Sequence, residues 1–66
     1  MQLIVNGSPR EIEDGSRLNV LVEAVSDRPS GIAVALNSEV VPRSVWADTA
    51  LSAGDRVDVV TAVQGG

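Results

Sequence analysis

Hydrophobic and polar positions alternate at the start of the chain, change to a helical spacing, then alternate again towards the end. Gln2-Leu3-Ile4-Val5-Asn6 has the two-residue period of a strand, with Met1, Leu3 and Val5 on one side and Gln2, Ile4 and Asn6 on the other. The first set is assigned to the core. Asn6-Gly7-Ser8-Pro9 supplies a hairpin turn, because Asn-Gly accepts positive φ. Arg10-Glu11-Ile12-Glu13 is then a short second strand, and Asp14-Gly15 turns the chain again. Leu18, Leu21, Val22 and Val25 fall at i, i+3, i+4 and i+7, which predicts one helical stripe. Ser16 stands where an N-cap hydroxyl belongs. Val20 and Ala24 lie outside the stripe, so the helix is not cleanly amphipathic. It should end by Asp27-Arg28, since Pro29 disfavours helical backbone at the residue before it.

The second half of the chain is mostly strand. Ile32-Ala33-Val34-Ala35-Leu36 places Ile32, Val34 and Leu36 on one face and only small Ala33 and Ala35 on the other. Asn37-Ser38-Glu39 reads as a turn, and Val40-Val41 as a brief strand stopped by Pro42. Arg43 to Leu51 is irregular or a short helical turn, anchored by Trp46 and Leu51. Ala53-Gly54-Asp55-Arg56 is a tight turn before a last strand. There Val57 and Val59 suit the core, while Asp58 and Val60 face the other way.

The predicted order is β-β-α-β-(short β or turn)-β, an α+β chain. One main helix must cover one face of a mixed sheet of four to five strands, with the first and last strands as parallel neighbours at the centre. That architecture is the β-grasp. Ile4, Ala33, Ala35 and Val60 would then gather on the uncovered sheet face, as a candidate partner-docking patch.

Composition narrows the chemistry. Val, Ile and Leu supply 20 of 66 residues, which argues for a packed domain. Trp46 is the sole aromatic and is expected to cover a small aliphatic core. Without Cys or His there is no disulfide, no thiolate site and no good zinc site, so no metal is expected. No bound cofactor is expected either. The balance is acidic, with nine Asp and Glu against five Arg, which disfavours nucleic acid as a partner and favours a basic protein surface. Lys is absent, so no side chain can accept an isopeptide. No apolar run approaches the ~20 residues of a membrane span. No basic segment leads into an apolar stretch, so cytoplasm is the expected location.

The last residues carry the functional expectation. A β-branched run leads into Val63-Gln64-Gly65-Gly66. Residues 1–62 are read as the domain and 63–66 as a flexible tail that presents the Gly66 carboxylate. Without a Cβ, Gly65 and Gly66 can thread a narrow channel. The extended tail reaches at most ~10 Å beyond Val63.

Asn6-Gly7, Asp14-Gly15-Ser16-Arg17-Leu18, Ala33-Val34-Ala35-Leu36-Asn37, Val40-Val41-Pro42-Arg43-Ser44-Val45-Trp46, Leu51, Gly54-Asp55-Arg56-Val57 and Val63-Gln64-Gly65-Gly66 occur in that order. In these blocks the chain resembles the sulfur carrier proteins of thiamin biosynthesis, a ubiquitin-like β-grasp family. Ser38 departs from the pattern, because a Gly often follows that Asn in the family. The resemblance implies that an ATP-dependent adenylating enzyme, using magnesium, activates Gly66. A cysteine desulfurase-derived donor then makes a terminal thiocarboxylate, and thiazole synthase receives the sulfur. The chain would be a carried cosubstrate and not a catalyst. Two alternatives belong to the same class: the small subunit of molybdopterin synthase, or a carrier serving cysteine synthesis. A third is a non-covalent β-grasp interaction module whose tail does nothing.

Overall fold

The computed structural model describes residues 1–26 and 31–61. The element order is β1 (Gln2–Val5), β2 (Ser8–Glu11), α1 (Leu18–Val25), β3 (Ile32–Leu36), β4 (Glu39–Val40), a 3₁₀ helix (Arg43–Asp48) and β5 (Arg56–Thr61). The five strands form one mixed sheet in the order β2-β1-β5-β3-β4. β5 runs parallel to β1, with Ile4 opposite Arg56 and Val5 opposite Val57. It runs antiparallel to β3 over five pairs, from Ile32–Thr61 to Leu36–Val57. The central parallel pair is therefore present as expected, and the sheet has five strands.

Both hairpins are tighter than their sequences suggest. Asn6 and Gly7 have φ of 50° and 82°, so two residues close the first turn and β2 starts at Ser8, not Arg10. Pro9 therefore sits inside a strand. β2 is an edge, and Pro9 faces Ile4 there without interrupting a central ladder. Asn37 and Ser38 have φ of 51° and 74°, so Glu39 is already paired with Leu36 and β4 is Glu39–Val40 rather than Val40-Val41.

The helix start is also corrected. Arg17, not Ser16, is the N-cap residue, and no side chain caps the helix. The Ser16 hydroxyl instead donates to the Glu13 carbonyl at 2.7 Å. The cause lies in the chain crossing beside it. The Leu18 N–H donates to the Thr49 carbonyl, the Leu51 N–H donates to the Ser16 carbonyl, and Arg17 bridges Ala50. This extended contact holds Ser16 and Arg17 out of the helix, which starts at Leu18. The helix ends at Val25, sooner than Asp27-Arg28, and residues 27–30 lie outside the described part.

α1 buries Leu18, Leu21 and Val22 against Leu3, Val5, Val34 and Val57 from the sheet. Trp46 and Leu51 close the same core, as expected of both. Five of these side chains are under 2 % exposed, and each such aliphatic contributes roughly 1.5–3 kcal/mol by leaving water. No polar side chain is buried among the described residues. Val20 and Ala24, outside the stripe, remain exposed. No helix among the described residues is long and apolar enough to cross a membrane.

Candidate functional site

β5 is the strand that precedes residues 62–66, and both of its edges are braced by turn asparagines. On the β3 side, the Asn37 side-chain oxygen accepts the Arg56 N–H at 2.9 Å. The Asn37 backbone N–H donates to the Arg56 carbonyl at 2.7 Å. On the β1 side, the Asn6 side-chain oxygen accepts the Val59 N–H at 2.8 Å, just beyond the point where β1 turns away. Asp55 fixes the approach to β5. One of its oxygens accepts the Ser52 N–H at 2.8 Å and the other accepts from the Asn37 amide at 3.1 Å. Gly54, at φ +87°, donates its N–H to the Gln2 carbonyl at 2.8 Å and sets β5 beside β1. The conformational freedom of glycine is needed there.

Val63, Gln64, Gly65 and Gly66 lie outside the described residues, as does the proposed boundary between 62 and 63. The described strand ends at Thr61, and Ala62, which stands between it and Val63, also lies outside the described residues.

The uncovered sheet face carries the rest of the candidate site. Register puts Ala33 opposite Val60, and Asp58 opposite Ala35. Val40 stands opposite Ala35 on the far side. Val60 is 56 % exposed and Val40 is 77 % exposed. Ala33, Ala35, Val60 and Val40 therefore make one small apolar strip across β5, β3 and β4, with Asp58 at its border. Ile4 shares the face but not the strip. It is flanked by Pro9 and Arg56, four residues along β5 from Val60, or about 13 Å at strand rise. Val40 was not singled out from the sequence. Reading Asn37-Ser38 as a two-residue turn would have placed it opposite Ala35.

Two charged features flank the core. The Arg43 guanidinium lies 5.5 Å from the centre of the Trp46 ring, while the Trp46 N–H donates to the Val41 carbonyl at 2.8 Å. Trp46 is buried, and Arg43 covers it from outside. At the other end, the Met1 α-ammonium donates to the Ile12 carbonyl at 2.7 Å and to Asp14 Oδ1 at 2.8 Å, and pairs with Glu11 Oε2 at 3.0 Å. The Asp14 and Glu11 hydrogen bonds hold the amine above its ordinary pKa against the cost of desolvation. The hydrogen bond from the amine, with its charge, holds the Asp14 carboxyl below the ordinary range. No group of His, Cys, Asp and Glu among the described residues could hold a metal ion.

Comparison with known proteins agrees with this architecture. The model of the ThiS family matches residues 3–66. The chain is 30 % identical over 66 residues to the sulfur carrier protein ThiS of Escherichia coli K12, covering all of both chains. It is also 30 % identical over 66 residues to a thiazole synthase of Paramagnetospirillum magneticum, where the match spans all of this chain but 20 % of that protein. Among solved structures, the crystal structure of the thiamine biosynthesis protein ThiS from Geobacter metallireducens superposes with a TM-score of 0.87. That match has 29 % identity and covers 100 % of each chain.

Proposed function

The chain belongs to the ThiS family, and from that premise we propose that it carries sulfur as a thiocarboxylate on Gly66 for thiazole formation in thiamin biosynthesis. The observation that carries this reading is the family match, which runs through Gly65 and Gly66.

The chemistry follows from the carboxylate. A carboxylate resists nucleophiles because its own charge repels them and neither oxygen leaves easily. An ATP-dependent adenylating enzyme removes that obstacle. A Gly66 oxygen attacks the α-phosphorus of ATP, pyrophosphate departs, and the acyl adenylate carries AMP as a leaving group. Magnesium and ATP belong to that enzyme's site. The terminal sulfur of a persulfide, the form in which a cysteine desulfurase hands sulfur on, then displaces AMP, and a thiol cleaves the resulting acyl disulfide to leave a thiocarboxylate and a new disulfide. The sulfur is now a nucleophile that thiazole synthase can use. The chain acts as cosubstrate throughout. The need for ATP is consistent with the cytoplasm as the proposed location of these steps.

Two further observations support the partners. A segment like this chain occurs within a larger polypeptide named thiazole synthase. Joining a donor to its acceptor raises their effective concentration, which is useful only if the two meet. The strip of Ala33, Ala35, Val60 and Val40 gives an activating enzyme or synthase a flat apolar surface on the strand that leads to the tail.

Intact mass after incubation with an adenylating enzyme of the thiamin pathway, ATP and a sulfur source tests the reading. The expected product has one oxygen replaced by one sulfur, localised to Gly66. A chain lacking Gly66 should stay unmodified while keeping its fold. An unchanged mass with an enzyme shown to load a known carrier would point to another sulfur pathway or to a non-covalent module.

A further inference from the structure

We propose that Asp58 selects the protein that covers the apolar strip: an adenylating enzyme whose docking surface is apolar and carries an arginine facing that carboxylate. This rests on the carrier reading, in which an unmodified chain has one recipient, the adenylating enzyme.

Along the open face of β5 the side chains run Arg56, Asp58, Val60, at intervals of about 7 Å. Register gives each a neighbour on that face, with Arg56 beside Ile4, Asp58 beside Ala35 and Val60 beside Ala33. Val40 extends the row beyond Ala35. A surface that covers Val60, Ala35 and Val40 therefore covers Asp58 as well. Asp58 is already half-buried.

The Asp58 carboxylate is uncompensated. Among the described residues it has no ion pair and no side-chain hydrogen bond. Arg56 shares the face but does not pair with it. In the free chain water solvates the charge, and a covering surface removes that water. A carboxylate buried without a partner is costly. An apolar side chain at position 58 would instead extend the strip. A carboxylate here therefore favours a surface that answers it and rejects apolar surfaces that do not. Arginine suits the position better than lysine. Its planar guanidinium pairs with both carboxylate oxygens, and it is the more weakly hydrated cation. The formal net charge of −4 has the same sense at longer range, since it draws a basic surface and repels a second copy of the chain.

The sign of one effect decides the matter. The parent, Asp58→Leu, Asp58→Asn and Glu23→Gln chains are titrated by calorimetry against an adenylating enzyme of the thiamin pathway. Both Asp58 variants should bind roughly tenfold or more weakly, because each leaves the enzyme's cation covered and unpaired. The affinity of Asp58→Asn should also depend less steeply on salt than that of the parent. Glu23→Gln removes the same charge from an exposed position on α1 and should match the parent. Unchanged or tighter binding by the Asp58 variants would overturn the proposal, since the carboxylate would then only keep the free strip in water. Loss of the Asp58→Leu effect in an Arg56→Gln background would assign the counter-ion to this chain and overturn it too. The free parent should sediment as a monomer. A parent dimer that Asp58→Asn dissociates would give the face to a second copy instead. Failure of the parent to bind an enzyme shown to load a known carrier would overturn the carrier reading as well, whereas parent binding that ignores Asp58 would overturn the selection alone.

Discussion

The Asn6 side chain takes the Val59 N–H at 2.8 Å, so a residue of the first turn continues the ladder of β5 after β1 has ended. Asn6 also holds φ at 50°, where Asn and Gly are tolerated and most side chains are strained. Two substitutions separate these roles. Asn6→Asp keeps the acceptor oxygen and tolerates the turn, whereas Asn6→Gly keeps the turn and loses the acceptor. Amide exchange at Val59 should be faster in Asn6→Gly and close to the parent rate in Asn6→Asp. The lost bond should lower stability by about 0.5–1.5 kcal/mol. Equal protection in both variants would mean that the bond does not hold the end of β5.

Ser38 and Asn37 share a turn and a left-handed backbone, but they should respond oppositely to glycine. The left-handed region costs a residue with a Cβ about 1–2 kcal/mol, and the extra freedom of glycine in the unfolded chain returns about 0.5–1 of that. Ser38→Gly should therefore stabilise the domain by about 0.5–1 kcal/mol, the difference of those terms. Asn37→Gly relieves the same strain but leaves the Arg56 N–H and an Asp55 oxygen without their partner. It should destabilise. Urea midpoints of the two variants check both signs together.

Leu21 and Val20 are neighbours on α1 that differ sharply in burial. Leu21 is fully buried and Val20 is 48 % exposed. Leu21→Ala should cost about 2–5 kcal/mol. A domain of this size holds only about 3–10 kcal/mol in all, so the variant should be partly or wholly unfolded at room temperature. Val20→Ala should stay within about 0.5 kcal/mol of the parent. Thermal unfolding followed by circular dichroism distinguishes them. A parent-like melting temperature for Leu21→Ala would contradict the packing of α1 on the sheet.

Period and register explain what the sequence disclosed. The stripe of Leu18, Leu21 and Val22 and the alternation in β1, β3 and β5 were legible because burial on one face imposes a spacing on the residues that must fill it. Turn lengths were less legible. Asn37-Ser38 lacks the glycine that marks a two-residue turn, and the missing mark hid both the start of β4 and the place of Val40. The N-cap was misplaced for a different reason. Ser16 has the right chemistry, but Thr49 and Leu51 take the neighbouring backbone groups from across the fold, and no local pattern records that contact. The role of Gly66 was read from chain-wide resemblance to a family and not from geometry. On the proposed reading its chemistry would take place in a partner's site rather than in a constellation of side chains within this domain.

Val60 offers the most direct test of the docking face. Its side chain lies opposite Ala33 and on the same face of β5 as Asp58, so Val60→Asp would replace the β5 end of the apolar strip with a second carboxylate beside Asp58. Because Val60 is already 56 % exposed, no core contact is lost and the melting temperature should change little. Binding to a partner that covers the strip would have to desolvate the new charge. Affinity for the adenylating enzyme should fall by about tenfold or more, which is about 1.4 kcal/mol. Val20→Asp makes the same chemical change on the exposed side of α1 and should leave that affinity unaltered. Calorimetric titration of the three folded chains against the enzyme measures the contrast directly. Equal weakening by both substitutions would indicate a general effect of added negative charge, and no weakening by Val60→Asp would place the partner elsewhere on the domain.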